Sequence, residues 1–83
     1  MSGRLVITRQ AQKDLDRLAP RDQEAVDHAL AELALNPFSG DVRKLRAGAK
    51  GYRRRVGAYR IFFRVEDSFV VVTSVERRTS TTY

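Results

Sequence analysis

The hydrophobic positions in the first half of the chain follow two patterns in succession. Leu5–Ile7 is a short run of strand-forming residues, which predicts a first β-strand. Apolar residues then recur every three or four positions across 11–18 and again across 25–34, which is the spacing of two amphipathic helices. Ala19-Pro20 separates them, because proline disfavours helical conformation in the residue before it. Residues 8–36 are therefore predicted to form a helical hairpin.

In the second half the period changes to two. Residues 52–56 and 59–65 alternate as strands do, with Gly57-Ala58 as the turn between them. Residues 69–75 are apolar on both faces, as expected of a strand inside a sheet. The order β-α-α-β-β-β predicts an α+β fold, in which an N-terminal strand and a helical hairpin pack on a small, largely antiparallel β-sheet. The length predicts a single domain over residues 1–83.

Alternation also assigns the strand residues to two faces. In strand 59–65 the apolar residues are expected to face the helices, and the intervening residues face away. The same rule in strand 52–56 completes a predicted open face made of Arg53, Arg55, Arg60, Phe62 and Arg64. Arg54 falls on the core face by this rule. It is expected either to extend past a sheet edge or to mark a β-bulge that shifts the register.

Charge is distributed unevenly along the chain. Residues 1–41 contain five Lys or Arg and seven Asp or Glu, whereas residues 42–83 contain eleven and three, giving the two parts charges of −2 and +8. Nine of these cations lie within 43–64, where there is no acidic residue. A solvated sheet face is one interpretation. RNA phosphate, DNA phosphate or an acidic protein is the other, because guanidinium groups bind phosphate and an aromatic ring can stack on a base.

Several other kinds of chemistry are not indicated. The chain has no cysteine, which excludes disulfides, thiolate catalysis and Cys-ligated zinc. The acidic residues show no metal-ligand spacing and the glycines form no phosphate-binding loop, so neither a metal nor a cofactor is predicted. His28, the one histidine, lies in the second helix and far in sequence from the basic strands. The apolar run Leu5–Ile7 is too short for a signal sequence or a membrane span, so the protein is expected to be cytoplasmic and not to bind membranes.

Four segments together resemble a known family: Val6–Leu15, Arg43-Lys44-Leu45, Gly51–Phe63 and Val75–Tyr83. They are similar to the RelE/ParE superfamily of toxins from bacterial type II toxin–antitoxin modules, and the likeness covers nearly the whole chain. It implies the family fold, a helical hairpin on an antiparallel sheet. It also implies one of two activities, because RelE-like members cut mRNA in the ribosomal A site and ParE-like members inhibit DNA gyrase.

The resemblance to the RelE-like branch also implies site residues. That branch uses two basic residues on one strand, an Arg on the next strand, an Arg after the last strand and a C-terminal Tyr. The matching positions here are Arg53 and Arg55, Arg60, Arg77 (or its neighbour Arg78) and Tyr83. The expected RNA-binding residues are Arg43, Lys44, Arg46, Lys50, Phe62, Arg64 and Arg78. The implied reaction is attack of a 2′-hydroxyl on the adjacent phosphate without a metal ion.

The chain departs from the family pattern at the general base. Family members commonly place Lys, Glu or His near the 2′-hydroxyl, whereas this chain has arginines, whose pKa above about 12 makes them poor bases. Tyr83 could take that role, the ribosome could assist, or the reaction could be slow. Alternatively, Tyr83 is a terminal aromatic residue that packs on the sheet.

Three functional hypotheses follow from the resemblance. The first is a ribosome-dependent mRNA endoribonuclease that contacts 16S rRNA. The second is a DNA gyrase inhibitor, and the third is a catalytically degenerate homologue that only binds its antitoxin. In each, a cognate antitoxin protein is the expected partner, and operator DNA is reached only through that antitoxin.

Overall fold

Two helices and five strands make up the part of the chain that the computed structural model describes, residues 4–45 and 51–77. In chain order they are β1 (Arg4–Ile7), α1 (Arg9–Asp16), α2 (Pro20–Leu35), β2 (Val42–Lys44), β3 (Tyr52–Val56), β4 (Tyr59–Glu66) and β5 (Phe69–Arg77). The predicted α+β fold is confirmed. The strand β2 was not predicted, because three residues with two adjacent cations give no alternating pattern.

The strands form one sheet in the order β1-β5-β4-β3-β2. Of the four strand pairs in the described part of the chain, β1–β5 is parallel and the other three are antiparallel, so the sheet is largely antiparallel as predicted. β5 lies between β1 and β4, which explains why its sequence is apolar on both faces.

A single extra residue in β5 changes which of its side chains face the helices. Phe62 pairs with Ser74 but Phe63 pairs with Val72, so Thr73 is left without a partner in β4. Such a β-bulge reverses the alternation beyond it. Because of it, Val72 and Val75 are both buried in the core although they are three residues apart.

The helices are held on one face of the sheet by a shared hydrophobic core. The Thr8 Oγ1 accepts a hydrogen bond from the backbone N–H of Ala11 at 3.2 Å, which caps α1. The same hydroxyl donates to the carbonyl of Thr73 at 3.1 Å, so the capping residue of α1 is also hydrogen-bonded to β5. The core comprises Ala11, Leu15, Val26, Ala29, Leu30, Leu33, Ile61, Phe63, Val70, Val72 and Val75.

Arg54 lies on the helix face of the sheet and forms an ion pair there. Its Nη2 donates to Glu32 Oε1 of α2 at 2.7 Å, and its side chain is only 12% exposed. Gly40 has a φ of +78°, and a Cβ at this position would lie 2.5 Å from the Arg54 Cζ, so glycine leaves room for the guanidinium. The expectation that Arg54 passes a sheet edge or marks a bulge is therefore wrong. The bulge lies in β5, and Arg54 has a partner on α2.

Replacing Leu33 by alanine is expected to destabilise the fold, whereas the same change at Leu35 is not. Leu33 is 0% exposed and Leu35 is 73% exposed on the same helix. We expect a loss of about 2–5 kcal/mol in the free energy of unfolding for Leu33→Ala, and a change within about 0.5 kcal/mol for Leu35→Ala. Denaturant unfolding of both variants measures this. Equal losses of unfolding free energy in the two variants would contradict the assignment of Leu33 to the core.

The Glu32–Arg54 pair is expected to make stability depend on pH. The hydrogen bond from Arg54 lowers the pKa of Glu32 in the folded protein. A lowered folded-state pKa contributes stability that is fully present above the unfolded-state value and is lost as pH falls through the folded-state pKa. Denaturant unfolding of wild type and Glu32→Gln from pH 7 to pH 3 should therefore show a stability difference that shrinks toward low pH. A difference independent of pH would exclude this role of the ion pair.

Candidate nucleic-acid interface

The register of the sheet lines up the open-face side chains in two rows that cross the strands. In the first row, Arg43 of β2 lies opposite Arg53 of β3, Arg53 lies opposite Phe62 of β4, and Phe62 lies opposite Ser74 of β5. The alternation of β3 and β4 predicted that Arg53 and Phe62 share this face, whereas Arg43 joins them through the unpredicted strand β2.

The second row lies next to the first and carries more charge. Arg55 of β3 is opposite Arg60 of β4, and Arg60 is opposite Glu76 of β5. At the outer end, the backbone N–H of Arg55 donates to the carbonyl of Asp41 at 3.0 Å. Arg55 and Arg60 thus lie side by side, with Asp41 beyond Arg55 and Glu76 beyond Arg60.

A depression of about 430 Å³ lies over the part of the open face where β2, β3 and β4 meet. It is lined by Arg43, Lys44, Leu45, Arg53, Arg60 and Phe62. Among the described residues, the Nε of Arg60 is buried and has no hydrogen-bond partner. A buried guanidinium N–H without an acceptor is unfavourable in the free protein, and an anion that enters the depression would satisfy it.

Two further cations of the open face are held by neighbouring carboxylates. Arg55 Nε is 3.8 Å from Asp41 Oδ2, and Arg64 Nε donates to Glu66 Oε2 at 2.7 Å. Neither arginine lines the depression. The structure therefore separates the predicted cations into a group around Arg60 and two that are already paired.

Arg77 lies on the other face of the sheet. It pairs with Tyr59 across β4 and β5, and it lines a separate depression beside α1 with Asp14, Arg17, Leu18, Tyr59 and Val75. The Tyr59 hydroxyl in this depression donates to Asp22 Oδ2 at 2.9 Å, which raises the pKa of Tyr59. The structure thus does not bring Arg77 together with Arg60, and a catalytic role for Arg77 remains a prediction.

Four of the predicted site residues lie outside the described residues: Arg46, Lys50, Arg78 and Tyr83. Leu45 and Glu76 are among the described residues of this face that were not predicted from the sequence. Leu45 follows the unpredicted strand β2, and Glu76 lies beyond the bulge at Thr73. Simple alternation along β5 would place Glu76 on the core face with Val72, so only the bulge brings it to the open face.

Residues 4–45 and 51–77 contain neither a metal-binding cluster nor a membrane-spanning helix. No group of three or more His, Asp or Glu side chains there could hold a metal ion. Neither α1 nor α2 is long and apolar enough to cross a membrane.

The sequence also matches a known protein family. The family model described as ParE toxin of type II toxin-antitoxin system, parDE, matches residues 5–81. This chain belongs to that family. It is accordingly a toxin of the RelE/ParE superfamily, which confirms the sequence resemblance. No curated protein sequence matches this toxin.

Solved structures of RelE proteins share the fold of this toxin. The toxin–antitoxin complex RelBE2 from Mycobacterium tuberculosis matches with a TM-score of 0.84 and 29% identity, covering 94% of this chain and 100% of that one. The RelE–RelB complex from Pyrococcus horikoshii matches with a TM-score of 0.81 and 25% identity over 98% and 100%. The isolated RelE toxin of Escherichia coli, at 24% identity, matches with a TM-score of 0.82 over 96% and 88%, and shows the shared fold.

Removing a cation from the depression is expected to weaken RNA binding. Arg53→Gln should lower the affinity for a short single-stranded RNA and reduce the slope of log K against log salt concentration by about 0.7, which corresponds to one phosphate contact. Arg21→Gln, an exposed cation at the start of α2, serves as the matched control. Fluorescence anisotropy at several salt concentrations measures both quantities. Equal effects of the two changes would mean that binding follows net charge and does not depend on the depression.

Proposed function

We propose that this toxin is a metal-independent endoribonuclease that cleaves mRNA in the ribosomal A site. The observation that carries the proposal is the depression around Arg60, where four cationic residues surround one aromatic ring and a guanidinium N–H is buried without a partner among the described residues. Its volume of about 430 Å³ falls in the range of about 300–1,000 Å³ that small ligands occupy. One nucleotide and its phosphate fit this chemistry.

Binding of the nucleotide would use both the guanidinium groups and the aromatic ring that line the depression. The guanidinium groups of Arg53 and Arg60 can donate paired hydrogen bonds to phosphate oxygens, which lysine cannot do in the same geometry. Phe62 lies between β3 and β5 on the same face and offers its ring for stacking on a base. Arg43 and Lys44 at the sheet edge would hold the neighbouring phosphates of an extended strand.

Catalysis would come from charge stabilisation around the reacting phosphate. Attack by the 2′-hydroxyl builds negative charge on the phosphate oxygens, and fixed donors directed at that charge lower the barrier most. Arg60 is the best placed residue, because it lines the depression and its Nε has no hydrogen-bond partner among the described residues. Arg55, which is opposite Arg60, adds a second positive charge.

The remaining predicted residues keep the roles that the family resemblance implies. Tyr83 and Arg78, the alternative to Arg77 in the family pattern, are proposed to assist catalysis from the C-terminal part of the chain, because Arg77 lies on the helix face of the sheet. The proposed additional RNA contacts come from Arg46, Lys50, Arg64 and Arg78.

The proposed partners are an antitoxin and the ribosome. Two of the similar structures are complexes of a RelE toxin with its RelB antitoxin, which supports a cognate antitoxin for this toxin. The +8 charge of residues 42–83 favours an antitoxin segment with acidic residues over the basic face. The same charge favours contact with 16S rRNA, and action on ribosomes places the toxin in the cytoplasm.

A second candidate function is inhibition of DNA gyrase. It is supported by the description of the matching family model, which names the ParE toxin. The two functions differ in the residues they need. Gyrase inhibition requires a binding surface only, whereas RNA cleavage requires the charge-stabilising group at Arg60.

Arg60→Ala is expected to abolish mRNA cleavage in cells. Expression of the wild-type toxin should produce cuts within translated reading frames, and the variant should produce none, because the charge on the reacting phosphate is no longer stabilised. Mapping of mRNA 5′ ends after induction measures this, with Arg21→Ala as the control for loss of one cation. Growth arrest with a DNA damage response and no cuts would instead support gyrase inhibition.

A further inference from the structure

The cationic site lacks an obvious group to remove the proton from the 2′-hydroxyl. The described cations that line the depression are three arginines and Lys44. Arginine keeps its proton at any physiological pH, and Lys44 lies on the edge strand β2, two strands away from Arg60. A carboxylate is a far better base. Three described carboxylate residues lie on or beside the open face, namely Asp41, Glu66 and Glu76.

Glu76 is the carboxylate residue next to Arg60. The two residues are directly opposite each other in the antiparallel pair of β4 and β5. Directly opposed residues have Cβ atoms about 4.5–5.5 Å apart, so both side chains can reach one phosphodiester group. Glu76 forms no ion pair with any of the described residues, and it is exposed.

The other two carboxylates are placed less well. Asp41 is at the far end of the same row, about two strand spacings or roughly 10 Å from Arg60, and it lies 3.8 Å from the Arg55 Nε. Glu66 is six residues from Arg60 along β4, which is about 20 Å, and it accepts a hydrogen bond from Arg64 at 2.7 Å. Neither can act on a phosphate held by Arg60.

We propose that Glu76 is the general base of this site. The inference rests on the proposed endoribonuclease activity and adds a catalytic residue that the family pattern does not supply at this position. The carboxylate of Glu76 takes the proton of the 2′-hydroxyl, and the 2′-oxygen forms a new bond to phosphorus. The bond from phosphorus to the 5′-oxygen breaks, and that oxygen takes a proton from water. The hydroxide left behind takes the proton held by Glu76, which regenerates water and the carboxylate. The products are a 2′,3′-cyclic phosphate and a 5′-hydroxyl.

The test compares Glu76→Gln with Arg60→Ala in a reaction of purified toxin with ribosomes that carry mRNA. Glutamine keeps the size and polarity of the side chain but cannot accept the proton. We expect the single-turnover rate to fall by about 10²- to 10⁴-fold, the usual contribution of a general base. Glu24→Gln, an equal charge change on the exposed surface of α2, should keep the wild-type rate.

Two further measurements distinguish a base from a residue that merely positions Arg60. The wild-type rate should fall at low pH as the carboxylate gains a proton, and this dependence should disappear in the residual rate of Glu76→Gln. Glu76→Asp, which keeps the carboxylate, should recover part of the rate. RNA affinity of Glu76→Gln, measured by anisotropy, should be equal to that of the wild type or higher, because a negative charge has been removed.

Each contrary result has a separate meaning. Loss of cleavage in Arg60→Ala but not in Glu76→Gln would overturn the role of Glu76 and leave the endoribonuclease proposal standing. A slow Glu76→Gln variant that keeps the low-pH dependence would also overturn it. Absence of cleavage by the wild type would overturn both proposals together.

Discussion

The pairing of β4 with β5, with one extra residue at Thr73, is the constraint on which the rest of the structure depends. The bulge is secured on both sides, because the Thr73 hydroxyl donates to the carbonyl of Phe62 at 3.2 Å and the Thr73 carbonyl accepts from the Thr8 hydroxyl. It keeps Val75 in the core. It also brings Glu76 to the open face and Arg77 to the helix face. One inserted residue thus determines which side chains of β5 lie in the core and which lie on the open face.

The two faces of the sheet have different compositions and different roles. One face packs against the helices, and Arg54 on that face is paired with Glu32. The other face collects like charges, which repel when they lie directly opposite each other as Arg55 and Arg60 do. Carboxylate-bearing residues at both ends of that row, Asp41 and Glu76, offset part of the repulsion. The arrangement leaves the centre of the row positive.

Regular alternation explains how much could be predicted from the sequence. It was sufficient for the helical hairpin, the faces of β3 and β4, and the cluster of Arg53, Arg60 and Phe62. It failed where a tertiary contact decides the outcome. The partner of Arg54 is 22 positions away in sequence, and β2 exists because β3 offers it an edge. The bulge at Thr73 reverses the order of faces without any glycine or proline to signal it.

The Nε of Arg60, which has no hydrogen-bond partner in the described part of the chain, and the adjacent arginines have a consequence for the lifetime of the free protein. A polyanion that binds the native state but not the unfolded chain stabilises the fold in proportion to the logarithm of its concentration. An acidic protein and an RNA strand would both relieve the repulsion between these arginines. Because they would bind the same face, they would compete with each other. The free protein is then less stable than its complex with an acidic protein or its complex with RNA, and it is the form most exposed to proteases.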